Sequence, residues 1–88
     1  MPPKSRLQVP FGIVLRERRL AAGLSQEKLA DSSELHRTYV SQLERGLKAP
    51  SLAAIEAVAG ALRVAPHVLV RDAEAIVALR GRAERGAR

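Results

Sequence analysis

Residues Leu24–Gly46 read LSQEKLADSSELHRTYVSQLERG, and the fold turns on how this stretch is divided. Ser25 fits the N-cap of a short helix, its hydroxyl accepting from an otherwise unpaired backbone N–H. QEKLADSS then forms that helix with Leu29 and Ala30 facing inward. A turn near Ser33–Leu35 separates it from a second helix that ends at Arg45, before Gly46. Ala30 supplies the small side chain needed where two helices cross steeply and come close.

A pair of this kind can place its second helix in the major groove of duplex DNA, which is wide enough to admit it. On a wheel at about 100° per residue with Arg37 at zero, Ser41, Arg45, Thr38 and Gln42 fall between roughly 0° and 140°. Val40 and Leu43 fall near 240–300° on the same scale. The outward stripe therefore holds side chains that hydrogen-bond base edges: Arg suits guanine, Gln suits adenine, and Ser and Thr are less selective. A merely solvated face is more often rich in Lys and Glu.

Working outward, the first ten residues, with Pro2, Pro3, Pro10, Lys4 and Arg6, read as a flexible basic arm. From Phe11, FGIVLRERRLAA predicts a helix with Phe11, Val14, Leu15, Leu20 and Ala22 toward one face, stopped by Gly23. After the loop LKAP, Ser51 caps SLAAIEAVAGAL, where Leu52, Ile55, Ala59 and Leu62 recur at helical spacing. Gly60 weakens that helix by roughly 1 kcal/mol relative to Ala. Pro66 suits the first position of a fifth helix carrying Val68 and Leu69. Beyond Asp72, AEAIVALR adds a helical segment with Ile76, Val77 and Leu79, and GRAERGAR is a basic tail. No period-2 pattern intervenes, so the chain is expected to be all-α. Its parts are an arm (1–10), a domain (11–71) and a C-terminal helix with its tail (72–88).

The chain has 88 residues, 15 Lys+Arg against 9 Asp+Glu and a net charge of +6. One small domain fits this length, and the charge favours nucleic acid or another anionic partner. Without cysteine there is neither a disulfide nor a thiolate metal site, and His36 and His67 are too far apart in sequence to suggest a catalytic or metal pair. No nucleophile–base or metal constellation exists, so neither an enzyme nor a cofactor nor a small-molecule ligand is expected. Phe11 and Tyr39 are the only aromatics, which argues against single-strand or RNA readers that stack bases on several rings. MPPKSRLQVP lacks the apolar run of a signal peptide and no later segment suits a bilayer, so a cytoplasmic protein without a membrane partner is expected.

FGIVLRERRLAAGLSQEKLA, HRTYVSQLERG and PSLAAIEAVAGAL together resemble the Cro/C1-type helix-turn-helix family, over about Phe11 to Val70. HRTYVSQLERG is also similar to the recognition helix of the small controller proteins of restriction–modification systems. The resemblance implies a five-helix, lambda-repressor-like domain, here with an additional C-terminal helix. It implies base contacts from Arg37, Thr38 and Gln42, with Ser41 on the same stripe. It puts Ser25, Gln26, Tyr39, Arg45 and Lys48 at phosphates, Gln26 also bracing the recognition helix. It pairs Arg19 with Glu44 in a partly buried ion bridge, so Glu44 faces the fold and not the DNA. Tyr39 is either such a contact or a half-buried flank of the core, and Lys48 either a contact or a solvated loop charge.

Three positions depart from the family. Glu34 stands where Gly or Asn is frequent in the turn, so a left-handed backbone there would be strained. His36 takes the N-cap of the recognition helix, where Asp, Ser or Thr caps better. It is a weak cap, a phosphate contact, a base contact or a plain helix-start residue. Ala65 replaces the usual capping residue before the fifth helix.

Specific recognition generally needs two units on half-sites about one helical turn apart. Val68, Leu69, Ile76, Val77 and Leu79 offer an apolar surface for a homodimer, unless the last helix folds back on its own core. The expected function is a dimeric regulator of transcription on a palindromic operator in double-stranded DNA. It represses, or it activates through an added contact with RNA polymerase. The alternative is an antitoxin-type module that binds a protein partner through its C-terminal segment and autoregulates through the helix pair.

Overall fold

The computed structural model describes residues 5–86, with only the backbone considered at 84 and 85. Five helices follow in order: α1 (Gln8–Ala21), α2 (Gln26–Ser33), α3 (Arg37–Glu44), α4 (Leu52–Leu62) and α5 (Pro66–Gly86). No strand occurs among the described residues. Helix α1 packs against α3 and α5, α2 against α3 and α4, and α4 against α5. One core results, built from Phe11, Val14, Leu15, Leu29, Ala30, Val40, Leu43, Val58, Ala59, Leu69 and Ala73.

The caps explain the chain's punctuation. Ser25 accepts from the Lys28 N–H at 3.0 Å and Ser51 from the Ala54 N–H at 3.0 Å, starting α2 and α4 as their sequence predicts. Gly23 closes α1 with a left-handed backbone, φ +72°. In the turn between α2 and α3, Glu34 adopts φ 57°. A non-glycine residue held there costs about 1 kcal/mol or more, and the packing of both helices overrides that cost. Arg63 ends α4 in the same conformation, which its sequence did not announce.

Several expectations need correction. Helix α1 starts at Gln8, so Gln8–Pro10 belongs to the helix and not to the arm. Pro10 lies in the first turn, where backbone N–H groups have no partner inside the helix, so no hydrogen bond is lost. Residues 1–4 of the arm and 87–88 of the tail lie outside the described residues. Leu20 and Ala22 are exposed, and Arg19 takes the inward position instead. On a helix advancing about 100° per residue, Leu20 stands roughly 180° from Phe11 and Arg19 only about 80°. Leu52, the first residue of α4, is 86% exposed, and that helix gives the core Ala54, Val58 and Ala59. The fifth helix and the segment after Asp72 are one continuous helix of 21 residues, about 32 Å long.

Two features set α3 on the scaffold. Gly12 of α1 lies against the backbone of α3, and a Cβ there would overlap the Leu43 carbonyl and approach the Glu44 carbonyl oxygen to 2.7 Å. Gln8 also donates from Nε2 to the Gly46 carbonyl at 2.9 Å. The end of α3 is thus seated directly on the start of α1.

Candidate nucleic-acid interface

Helix α3 is short, and its local sequence does little to stabilise its start. His36 provides no side-chain cap, and the first turn carries no acidic residue. Arg37 instead puts a positive charge at the positive end of the helix dipole, which disfavours the isolated helix by a few tenths of a kcal/mol. What holds α3 is tertiary: Val40 and Leu43 are wholly buried, and Glu44 is anchored from two other helices.

That anchor is the centre of the site's geometry. The Arg19 guanidinium donates from Nε to Glu44 Oε2 at 2.6 Å and from Nη2 to Glu44 Oε1 at 3.0 Å. Its Nη1 donates to the Leu24 carbonyl at 2.8 Å, tying in the turn before α2. Gln26 completes the set by donating from Nε2 to Glu44 Oε1 at 3.1 Å. Side-chain exposures are 9% for Arg19 and 2% for Glu44. Hydrogen bonding to Glu44 raises the Arg19 pKa above its already high value, against the opposing effect of burial. The expected Arg19–Glu44 bridge is present, and every buried side-chain polar atom among the described residues has a partner.

Because Glu44 is turned inward, the outward face of α3 carries no acid. Gln26, Arg37, Thr38, Ser41, Gln42, Arg45 and Leu47 line one shallow depression of about 290 Å³. The stripe drawn on the wheel is therefore one continuous surface, and Gln26 joins it from α2. This arrangement presents guanidinium, amide and hydroxyl groups together, the donors and acceptors that suit base edges and phosphates.

The other predicted contacts lie around this depression, not in it. Tyr39 is half-buried against the core, and its hydroxyl accepts from the Ser51 N–H at 3.5 Å. It therefore flanks the core while its oxygen stays at the surface, beside the start of α4. Ser25, His36 and Lys48 are exposed. Ser25 uses its oxygen as the α2 cap and keeps its hydroxyl proton for another acceptor.

Among the proposed interface residues of α5, Leu69 must be removed. Its exposure is 0%, and it is wholly occupied within the chain's own core. Ile76 also packs partly against that core. Val68 and Val77 are half-buried and Leu79 is 62% exposed, so these three remain available. One side of α5 thus folds back on the chain's own core through Leu69 and Ile76, while Leu79 stays exposed. Asp72 on α5 accepts from Arg18 Nη2 at 2.8 Å, fastening α5 to α1. The Arg18 hydrogen bond is the main influence holding the Asp72 carboxyl below its usual range; burial opposes it and Arg71 adds to it.

Sequence reasoning missed Gly12 and Leu47. Gly12 sits inside a helical pattern, and an interior glycine there is itself a sign of close backbone approach. Leu47 follows a helix-ending glycine, a position where an apolar residue commonly accompanies the cap.

Two short helices joined by a tight left-handed turn, with a hydrogen-bonding face on the second, define a helix-turn-helix DNA-binding domain. The Helix-turn-helix family profile matches residues 15–69, and the chain belongs to that family, of Cro/C1 type. It is accordingly a DNA-binding regulator and not an enzyme. The chain is 43% identical over 67 residues to the control protein C.BamHI of Bacillus amyloliquefaciens, covering 75% of this chain and 83% of that one. The crystal structure of the restriction–modification controller protein C.AhdI from Aeromonas hydrophila is similar, with 50% identity and a TM-score of 0.69. That match covers 70% of this chain and 94% of C.AhdI. The clp gene regulator ClgR from Corynebacterium glutamicum is similar over 97% of this chain and 90% of its own, with 30% identity and a TM-score of 0.86. No single helix among the described residues is long and apolar enough to cross a membrane.

Proposed function

We propose that this chain acts as a homodimer on a palindromic operator, each α3 entering the major groove of one half-site. The observation that carries this reading is the α3 face itself: Arg37, Thr38, Ser41, Gln42 and Arg45 line one depression while Glu44, the helix's acid, is buried. Arg37, Thr38, Ser41 and Gln42 contact bases. Gln26, Arg45, Ser25, Tyr39 and Lys48 contact phosphates, which fix the helix in the groove without reading sequence. His36, exposed at the mouth of α3, meets either a base edge or a phosphate.

The similarity to C.BamHI and C.AhdI supports a role of the controller type, in which the chain regulates transcription from its operator. A single unit of this size spans too few base pairs for specific regulation, so affinity and selectivity both gain from a second copy. Val68, Val77 and Leu79 are among the apolar groups of α5 outside the chain's own core, and they are the ones assigned to it.

The test is selection of bound sites from random duplex DNA by the purified chain, followed by footprinting and sedimentation at the same concentrations. Two inverted half-sites about one helical turn apart, protected by a dimer, are expected. Recovery of a single half-site bound by a monomer would refute the dimeric reading.

A further inference from the structure

Four helix ends in this chain are closed by one and the same device, and only one of them leaves its apolar residue in solvent. At α1, α2, α3 and α4 a residue with positive φ (Gly23, Glu34, Gly46 and Arg63) is followed by an apolar residue. The N–H of that next residue reaches back five positions. Leu24 donates to the Arg19 carbonyl at 3.1 Å, Leu35 to Ala30 at 3.0 Å, Leu47 to Gln42 at 2.9 Å and Val64 to Ala59 at 3.0 Å. This is the Schellman closure, whose apolar residue ordinarily packs on the helix residue it bonds back to.

Leu35 and Val64 follow the rule, lying opposite buried Ala30 and Ala59 and packing against the core. Leu24 is half-buried opposite Arg19. Leu47 lies opposite Gln42, a polar residue on the outward face, and remains 56% exposed. The cap thus holds the Leu47 backbone firmly while its side chain stands in the depression with Arg37, Ser41 and Gln42. An isobutyl group held by the cap thus stands more than half exposed among hydrogen-bonding side chains.

We infer that Leu47 is a specificity-determining residue that packs on the 5-methyl group of a thymine, at or beside the base pair met by Gln42. Thymine alone of the four bases offers an apolar group to the major groove, and the other residues of the depression read its polar edges. This inference rests on the reading of α3 as the groove-entering helix.

The test uses the full chain and a site selected by it from random duplex, with thymines replaced one at a time by deoxyuridine, which lacks only the methyl. One symmetric position per half-site is expected to weaken binding about fourfold on replacement, the factor for withdrawing one buried methyl group. Leu47→Ala is expected to unfold at the same temperature as the parent and to be indifferent to uracil at that position. An effect of uracil that is equal in parent and Leu47→Ala, or no effect at any position, overturns the inference. So does loss of dimerisation in Leu47→Ala with the uracil effect intact, which would make Leu47 a protein contact. Arg37→Ala and Gln42→Ala separate the two levels: if neither alters sequence preference, the placement of α3 in the groove fails as well.

Discussion

Arg19 and Glu44 form a two-point ion pair, at 2.6 and 3.0 Å, between the end of α1 and the end of α3. Twenty-five positions apart in sequence, they remove the one acid of α3 from the face that meets anionic DNA. Removing one partner leaves the other charge buried and unpaired. Glu44→Ala is expected to lower stability by about 3–5 kcal/mol, whereas Arg19→Met combined with Glu44→Leu recovers most of it. Urea denaturation of the single and double variants measures this, and a double variant no better than the single would contradict it.

Gly12 gives a second expectation, because α1 and α3 touch there backbone to backbone. A methyl group at Gly12 must push the Leu43–Glu44 segment away, so Gly12→Ala should destabilise by about 1–3 kcal/mol or more. Gly60 is the control: nothing lies within 4 Å of a Cβ placed there. Gly60→Ala should instead stabilise α4 by roughly 0.5–1 kcal/mol. Thermal unfolding of both variants should move in opposite directions, and a shift of the same sign would count against the contact.

These two glycines show how much of the fold was legible in sequence. Caps and stops were readable at Gly23, Ser25, Ser51 and Pro66 because each reports a local backbone requirement. The α3 stripe was readable because Val40 and Leu43 mark its inward side. Periodicity could not say which arc of α1 turns inward, so Leu20 was misplaced and Arg19 was identified by resemblance to a pair. Nor could it tell that the fifth helix runs on through Asp72, since the ion pair to Arg18 that fastens it spans 54 positions. Gly12, like Leu69 at the proposed dimer surface, is defined by what lies across the fold from it.

Asp72 sets the acid sensitivity of the α1–α5 contact. Its folded pKa lies below the ordinary value of 3.8, chiefly through the Arg18 hydrogen bond. The stabilisation is thus fully present above that value and is lost as pH falls through the lower folded pKa. Both side chains are about one-third exposed (35% and 31%), so solvent screens the pair and its worth is less than about 1 kcal/mol. Stability of the parent should fall below pH 4 by that small amount more than stability of Asp72→Asn. Equal pH dependence of the two would remove Asp72 from the account.

Lys48 is exposed in the loop after α3 and is assigned to a phosphate. Lys48→Ala should weaken all duplexes evenly and reduce the slope of log K against log salt by about 0.9. An unchanged slope in a salt titration would take Lys48 out of the interface.

The central claim is that the outward face of α3 reads base pairs, and Arg37 at its first turn tests it most directly. The measurement is the affinity of parent and Arg37→Ala for the selected operator and for each of its single-base-pair variants. The predicted result is a loss of about 1–3 kcal/mol on the operator with selectivity relaxed at one base pair of each half-site. A loss of equal size on every sequence would make Arg37 a phosphate contact and contradict the claim.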